Sequence, residues 1–298
     1  MTTILITGGQ GQLGRTFQSL TGRYANVAFL CPARPEFDLT DEGQMAAYLR
    51  RHRPAYVINT GAYTAVDRAE EAQEEAWRVN AEAPGRLAAL CREVGAHLFH
   101  FSTDYVYADR YNRPLRETDE TEPHGAYAES KLAGERAVLG VLPQATILRT
   151  AWVYSAHGHN FVKTMLRLGR ERAELRVVSD QVGSPTYTVD LAEAVMNLIQ
   201  RVDDGHLART DLAGIYNYSN EGVCSWYDFA VAIFSLTGTA CAVAPILTED
   251  YPTPARRPHF SLLDKTKLKT SFGLDIPYWR DSLRACLLEM GEKVATEG

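Results

Sequence analysis

Tyr127 precedes Lys131 by four residues in the run GAYAESKLAGE, whose composition suits a helix. Residues at i and i+4 lie one turn apart on the same face, so a phenol and an ammonium group can reach one bound molecule. A free tyrosine keeps its proton to a pH of about 10, and an adjacent ammonium favours the ionised form. The pair is therefore a means of bringing a phenol toward working pH as a proton donor. In HFSTDYVYAD, 24 residues earlier, Thr103 ends an expected strand and adds a hydroxyl. Thr103, Tyr127 and Lys131 converging beside a nicotinamide would suit carbonyl reduction. A Tyr/Lys pair at this spacing is also common on ordinary amphipathic helices, so the elements around it decide its meaning.

Those elements alternate. TILIT feeds glycines and a helical stretch from Gly11 to Leu20; NVAFLC precedes TDEGQMAAYLRRHR; AYVINT precedes EEAWRVNAEAPGRLAALCREVG; HLFHFS precedes AYAESKLAGERAVLG; and ATILRT follows. Nearly continuous apolar strands between amphipathic helices predict an α/β fold, a Rossmann-type doubly wound parallel sheet, with ligands at the strands' carboxyl edge. Gly8, Gly11 and Gly14 form a G-x-x-G-x-x-G pattern between the first strand and first helix. Glycines there permit a tight turn, and the free N–H groups of the helix start suit a pyrophosphate. After the second strand the chain reads Cys31-Pro32-Ala33-Arg34, with no acid to repel a 2'-phosphate. Arg34 is either a partner for that phosphate or a solvated loop residue. Asp38 and Leu39 fall where the adenine end would pass, although Asp38 equally suits capping of the next helix.

Beyond Thr150 the rhythm loosens into WVYSAHGHNF, SDQVGSPTYT and EDYPTPARRPHF, the polar segments expected of binding loops. Residues 1–150 are expected to form a dinucleotide-binding domain. Residues 151–298 are expected to be mainly a smaller C-terminal α/β substrate-binding domain, with segments returning to the first. The helix SWYDFAVAIFSLTG opens on a box-like Ser225-x-x-Asp228 and is expected to pack core. In TPARRPHFS, Arg256 and Arg257 offer forks for a diphosphate, or a solvated loop.

A length of 298 residues with 45% hydrophobic content suits a globular protein, and a net charge of -6 gives no basic field for nucleic acid or an anionic membrane. Five scattered cysteines without a C-x-x-C pair indicate neither a disulfide framework nor a zinc site. MTTILITGG lacks the charged n-region and length of a signal peptide, so a cytoplasmic location is the expectation.

The motifs GGQGQLGR, NTGAYTAVDRAE, STDYVY, AYAESKLAGE, RTAWVY, DQVGSPT and YPTPARRPHFSLL, in that order, make the chain resemble the extended short-chain dehydrogenase/reductase family, and within it the dTDP-deoxysugar ketoreductases. The resemblance covers nearly the whole chain. It implies catalytic roles for Thr103, Tyr127 and Lys131, with Tyr127 and Lys131 also touching the coenzyme. It implies pyrophosphate contacts from the loop Gly8, Gln10, Gly11, Gln12, Leu13 and Gly14, and a coenzyme lining of Ala62, Tyr63 and Thr64. Asp104 and Trp152 match positions associated with the sugar nucleotide. The expected coenzyme is NADPH, with NADH accepted, and the expected partner is a dTDP-deoxysugar. The rivals are a non-catalytic subunit like the β subunit of methionine adenosyltransferase, and another sugar-nucleotide reductase or epimerase. Three positions depart from the pattern. Ala128 stands beside the phenol, Gly61 replaces a more usual alanine and should loosen its loop, and Thr16 stands where some relatives carry a glutamate that binds magnesium at a dimer contact. A neutral hydroxyl is a poor magnesium ligand, so no metal requirement is expected, and the chain is expected to be a monomer or weak homodimer.

Overall fold

Short apolar runs make the strands, and in the first half they alternate with helices. In the computed structural model, which describes residues 1–295, the first half runs β1 (Thr2–Thr7), α1 (Gln12–Ser19), β2 (Val27–Leu30), α2 (Glu42–His52), β3 (Tyr56–Asn59), α3 (Val66–Ala69), α4 (Gln73–Trp77), α5 (Ala83–Val94), β4 (His97–Thr103), α6 (Ala126–Val141) and β5 (Thr146–Thr150). The second half runs β6 (Val153–Tyr154), α7 (Phe161–Glu171), β7 (Glu174–Val178), β8 (Val182–Gly183), β9 (Thr186–Tyr187), α8 (Thr188–Asp203), β10 (Gly214–Tyr218), β11 (Cys224–Ser225), α9 (Trp226–Thr237), β12 (Ala242–Ile246), α10 (Thr266–Phe272) and α11 (Trp279–Glu289).

Six strands form one parallel sheet in the order β10-β5-β4-β3-β1-β2. The chain winds outward from β1 in both directions, so a crevice opens at the carboxyl ends of β1 and β3. Alternate side chains feed opposite faces. Ile4, Ile6 and Phe99 pack with Leu191, Val195 and Ile199 of α8 and with Phe272 of α10. Leu5, Val57 and Leu98 pack with Met45 and Leu49 of α2, Leu87 of α5 and Val138 of α6. Thus α8, β10 and α10, all beyond residue 150, lie on the six-stranded sheet. A separate apolar cluster joins Val162 and Met165 of α7, Phe229 and Ile233 of α9, and Leu283 and Leu287 of α11. Ser225 and Asp228 form the expected capping box of α9.

One expected helix is broken. EEAWRVNAEAPGRLAALCREVG contains a π-helical turn at Arg78–Glu82 between α4 and α5. The widened turn presents Asn80, whose side chain accepts from the Tyr63 N–H at 2.8 Å and donates to the Tyr63 carbonyl at 3.0 Å and the Ser130 hydroxyl at 3.2 Å. Such insertions recur at functional sites because they turn one side chain out of register. All five cysteines are free thiols. Among the described residues no helix is long and apolar enough to cross a membrane.

Candidate active site

The glycine loop is built by close approach. Gly8 sits at φ +64°, and a Cβ added there would lie 2.5 Å from the Gly61 nitrogen; one added at Gly14 would lie 2.4 Å from the Gly8 carbonyl oxygen. Gly11 donates its N–H to Gly8 at 2.9 Å and precedes α1 without a side-chain cap. The start of α1 therefore keeps N–H groups for an anion, and the cradle fits a dinucleotide pyrophosphate. Around it, Gln10 accepts from Arg15 at 3.3 Å, and Leu13 packs on the core. The Gln12 amide oxygen accepts from Ser155 at 3.1 Å and Asn160 at 2.9 Å, so it ties α1 to the loop after β6.

On the adenine side, the capping reading of Asp38 and the loose loop expected at Gly61 are not found. Arg34 is exposed, and its guanidinium donates to Asp38 at 2.9 Å. Asp38 does not cap α2: it accepts from the Thr40 N–H and hydroxyl, each at 2.8 Å, while Asp41 caps α2 through the Gln44 N–H at 3.0 Å. Gly61 does not leave a loose loop either. A Cβ there would lie 2.3 Å from the Leu39 Cδ1, so the missing methyl is the space that Leu39 fills. Ala62, Tyr63 and Thr64 follow on the segment that Asn80 clamps. Asn80 was missed in the sequence, where it is one polar residue among charged neighbours such as Arg78 and Glu82 in a helical stretch.

Thr103 ends β4 opposite Thr150 of β5, and Tyr127 is the second residue of α6. Their side chains meet. Burial pushes the Tyr127 phenol up to about 12, aided by the Asp104 charge and opposed by a hydrogen bond with Thr103. The expected lowering by Lys131 is not found. The buried Lys131 ammonium donates to the Phe101 carbonyl at 2.6 Å, and burial brings it down to about 8 against the pull of Glu135. Glu135 itself forms a buried ion pair with Arg149 at 2.6 Å. Tyr105 packs edge-on to Tyr127 with ring centres 5.8 Å apart. Asp104 is buried and accepts from the Thr103 hydroxyl at 3.0 Å, while its other oxygen has no partner. Burial raises its carboxyl to about 6, against the nearby Ser261 and Thr103 hydroxyls.

Trp152 stands half-buried at φ +49°, stacked on Trp226 with ring centres 3.7 Å apart. A side chain held at positive φ outside glycine is overdetermined by its surroundings. Here Trp226, read from the sequence as core only, supplies the platform. The two arginines are not open forks. Arg256 donates to Asp109 at 3.2 Å, and Arg257 grips Asp67 with contacts of 2.7 and 3.0 Å. The second pair joins the loop before α10 to α3 across the site.

A parallel nucleotide-binding sheet with a glycine cradle after its first strand, and with threonine, tyrosine and lysine at its carboxyl edge, defines an NAD(P)H-dependent oxidoreductase of the extended short-chain dehydrogenase/reductase type. The chain belongs to the family described as the RmlD substrate binding domain, whose model matches residues 1–292. It is 41% identical over 294 residues to the dTDP-4-dehydrorhamnose reductase of Sinorhizobium fredii (strain NBRC 101917 / NGR234), covering 96% of this chain and 98% of that protein. Among solved structures, a dTDP-4-dehydrorhamnose reductase from Clostridium acetobutylicum ATCC 824 has a TM-score of 0.90 at 41% identity, over 97% of this chain and 100% of that one. Another, from Bacillus anthracis str. Ames in complex with NADP, has a TM-score of 0.90 at 36% identity, over 97% and 99%.

Proposed function

We propose that the chain reduces the C4 ketone of dTDP-4-dehydro-β-L-rhamnose to dTDP-β-L-rhamnose, consuming NADPH or NADH. The observation that carries this is the meeting of Thr103 and Tyr127 side chains, with Lys131 one turn deeper, in a chain that matches the reductase family almost end to end. The Gly8–Gly14 loop and the segment at Ala62, Tyr63 and Thr64 would hold a reduced nicotinamide coenzyme, which would supply the hydride for the ketone carbon. Tyr127 keeps its proton at neutral pH and gives it to the ketone oxygen as negative charge develops there. The Thr103 hydroxyl turns from Asp104 to the same oxygen and polarises it. Lys131 leaves the Phe101 carbonyl for the nicotinamide ribose, and its charge stabilises the tyrosinate until solvent returns the proton. Asp104 holds a sugar hydroxyl on its unpartnered oxygen, and the Trp152–Trp226 stack forms the apolar wall of the sugar pocket. Arg256 and Arg257 receive the diphosphate by exchanging their carboxylate partners.

Residues 1–150 serve the coenzyme and residues 151–298 mainly the sugar nucleotide. Both coenzymes are used because Arg34 is shared with Asp38, so a 2'-phosphate gains only part of its charge. Five free thiols suit a reducing compartment and support a cytoplasmic location.

The test mixes the protein with reduced coenzyme and enzymatically generated dTDP-4-dehydrorhamnose. Stoichiometric coenzyme oxidation with formation of dTDP-rhamnose is the expected result; an epimerase would interconvert sugars without consuming added coenzyme, and a regulatory subunit would bind it without turnover. Tyr127→Phe should lose about 100- to 10,000-fold in turnover while still binding coenzyme. Near-normal turnover would remove Tyr127 as the acid.

A further inference from the structure

The helix that carries Tyr127 begins without a cap of its own. Gly125 occupies the position before α6 at φ +87° and has no side chain to hold the first N–H groups. The acceptor comes instead from elsewhere in the chain: Oε1 of Glu70 accepts the Ala126 N–H at 3.0 Å. Glu70 follows α3 directly, and α3 follows the coenzyme-lining segment by one residue. A Cβ on Gly125 would lie 2.4 Å from that same Oε1, so the glycine leaves the room in which the carboxylate sits. Ala126 is the residue immediately before Tyr127.

We propose that Glu70 is a positioning residue for Tyr127: its carboxylate, reaching from the end of α3, fixes the first turn of the catalytic helix and so sets where the phenol proton is delivered. The inference rests on the reading of Tyr127 as the proton donor. A negative group at a helix start meets both the unpaired N–H and the positive end of the helix dipole, so a carboxylate suits this position better than a neutral acceptor. The effect is local to the first turn. Lys131, one turn deeper, is held by the Phe101 carbonyl, and Ser130 is held by Asn80 and by the Tyr127 carbonyl at 2.8 Å. Loss of the Glu70 contact therefore frees the Ala126–Tyr127 step while leaving the rest of α6 and its coenzyme contact in place.

The test compares Glu70→Ala, Glu70→Gln and Tyr127→Phe, alone and combined, by amide hydrogen exchange and by turnover. In Glu70→Ala, exchange at Ala126 and Tyr127 should rise while residues 131–141 stay protected and coenzyme affinity changes by less than about twofold. The turnover number should fall by about ten- to a hundredfold, the scale of an ångström-sized misplacement of a reacting group. Glu70→Gln, which keeps an oxygen acceptor, should recover most of that loss. In the Tyr127→Phe background, Glu70→Ala should cost nothing further, since no phenol remains to be aimed; a simple structural defect would still lower the residual rate. Unchanged exchange at Ala126 and Tyr127, or a full further loss in the Tyr127→Phe background, would overturn the proposal. Should the wild-type chain show no turnover of the sugar nucleotide, the functional reading fails, and the exchange result still decides whether Glu70 holds the first turn.

Discussion

Lys131 is a buried ammonium resting on a backbone carbonyl, and its pKa is brought down to about 8 by burial, against Glu135. In the proposed mechanism the charged form, present below that pH, is the one that binds the ribose and steadies a tyrosinate. Tyr127 stays protonated far above it, because burial raises the phenol to about 12. The alkaline fall of kcat/KM for reduction, which reports groups of the free enzyme, should therefore appear above about pH 8 and belong to Lys131 rather than Tyr127. A profile that stays flat to pH 10 would defeat this assignment. The same depressed pKa has a stability sign. Between pH 8 and the ordinary lysine range the unfolded chain binds more protons than the native one, so this residue's contribution to stability grows as pH rises through that window. That Tyr127 and Lys131 lie one turn apart on a helix was legible from their four-residue spacing. The direction of the phenol shift was not, since spacing says nothing of how completely a side chain is desolvated. Arg257 shows the same limit: its partner Asp67 lies 190 positions away, and nothing local to either residue pairs them.

At the scale of elements, strands and caps were legible where the signal is local, as in the alternating runs and in the Ser225–Asp228 box. The π turn at Arg78–Glu82 was not, because its stabilising partners are Tyr63 and Ser130, at separations of 17 and 50 residues. Its packing makes a prediction whose sign opposes helix propensity. Gly134 lies inside α6, where alanine ordinarily stabilises by about 1 kcal/mol. A Cβ there, however, would lie 2.0 Å from the Asn80 carbonyl oxygen, a backbone atom that cannot swing aside. Gly134→Ala should destabilise the chain by about 1–3 kcal/mol in urea unfolding, the usual cost of overpacking. It should also weaken coenzyme binding, since Asn80 carries the Tyr63 segment with it. A stabilised variant with unchanged coenzyme affinity would show that the two helical segments are not in the contact described.

For the whole molecule, the alternation of strands and helices was enough to specify a parallel sheet. The order of its strands, with β10 closing one edge and α8 packing behind β1, depends on long-range apolar packing that no local pattern encodes. That packing bears on metal and assembly through Thr16. The family resemblance compares this position with a glutamate that binds magnesium at a dimer contact, which requires an oxygen directed outward. Here Thr16 is 1% exposed, and its hydroxyl lies 3.0 Å from the Gln12 carbonyl and 2.7 Å from the Thr188 hydroxyl. It is a polar stitch in the seam between α1 and α8. The neighbouring side chain that does face outward is Arg15, whose charge repels a cation. Magnesium favours carboxylates and waters in near-octahedral array, and neither a buried hydroxyl nor a guanidinium supplies that. Chelation with EDTA should therefore leave both turnover and sedimentation unchanged, with a monomer or a weak, metal-independent dimer in analytical ultracentrifugation. A dimer that dissociates on chelation and regains activity with added magnesium would show that α1 meets a partner in a way the α1–α8 seam does not allow.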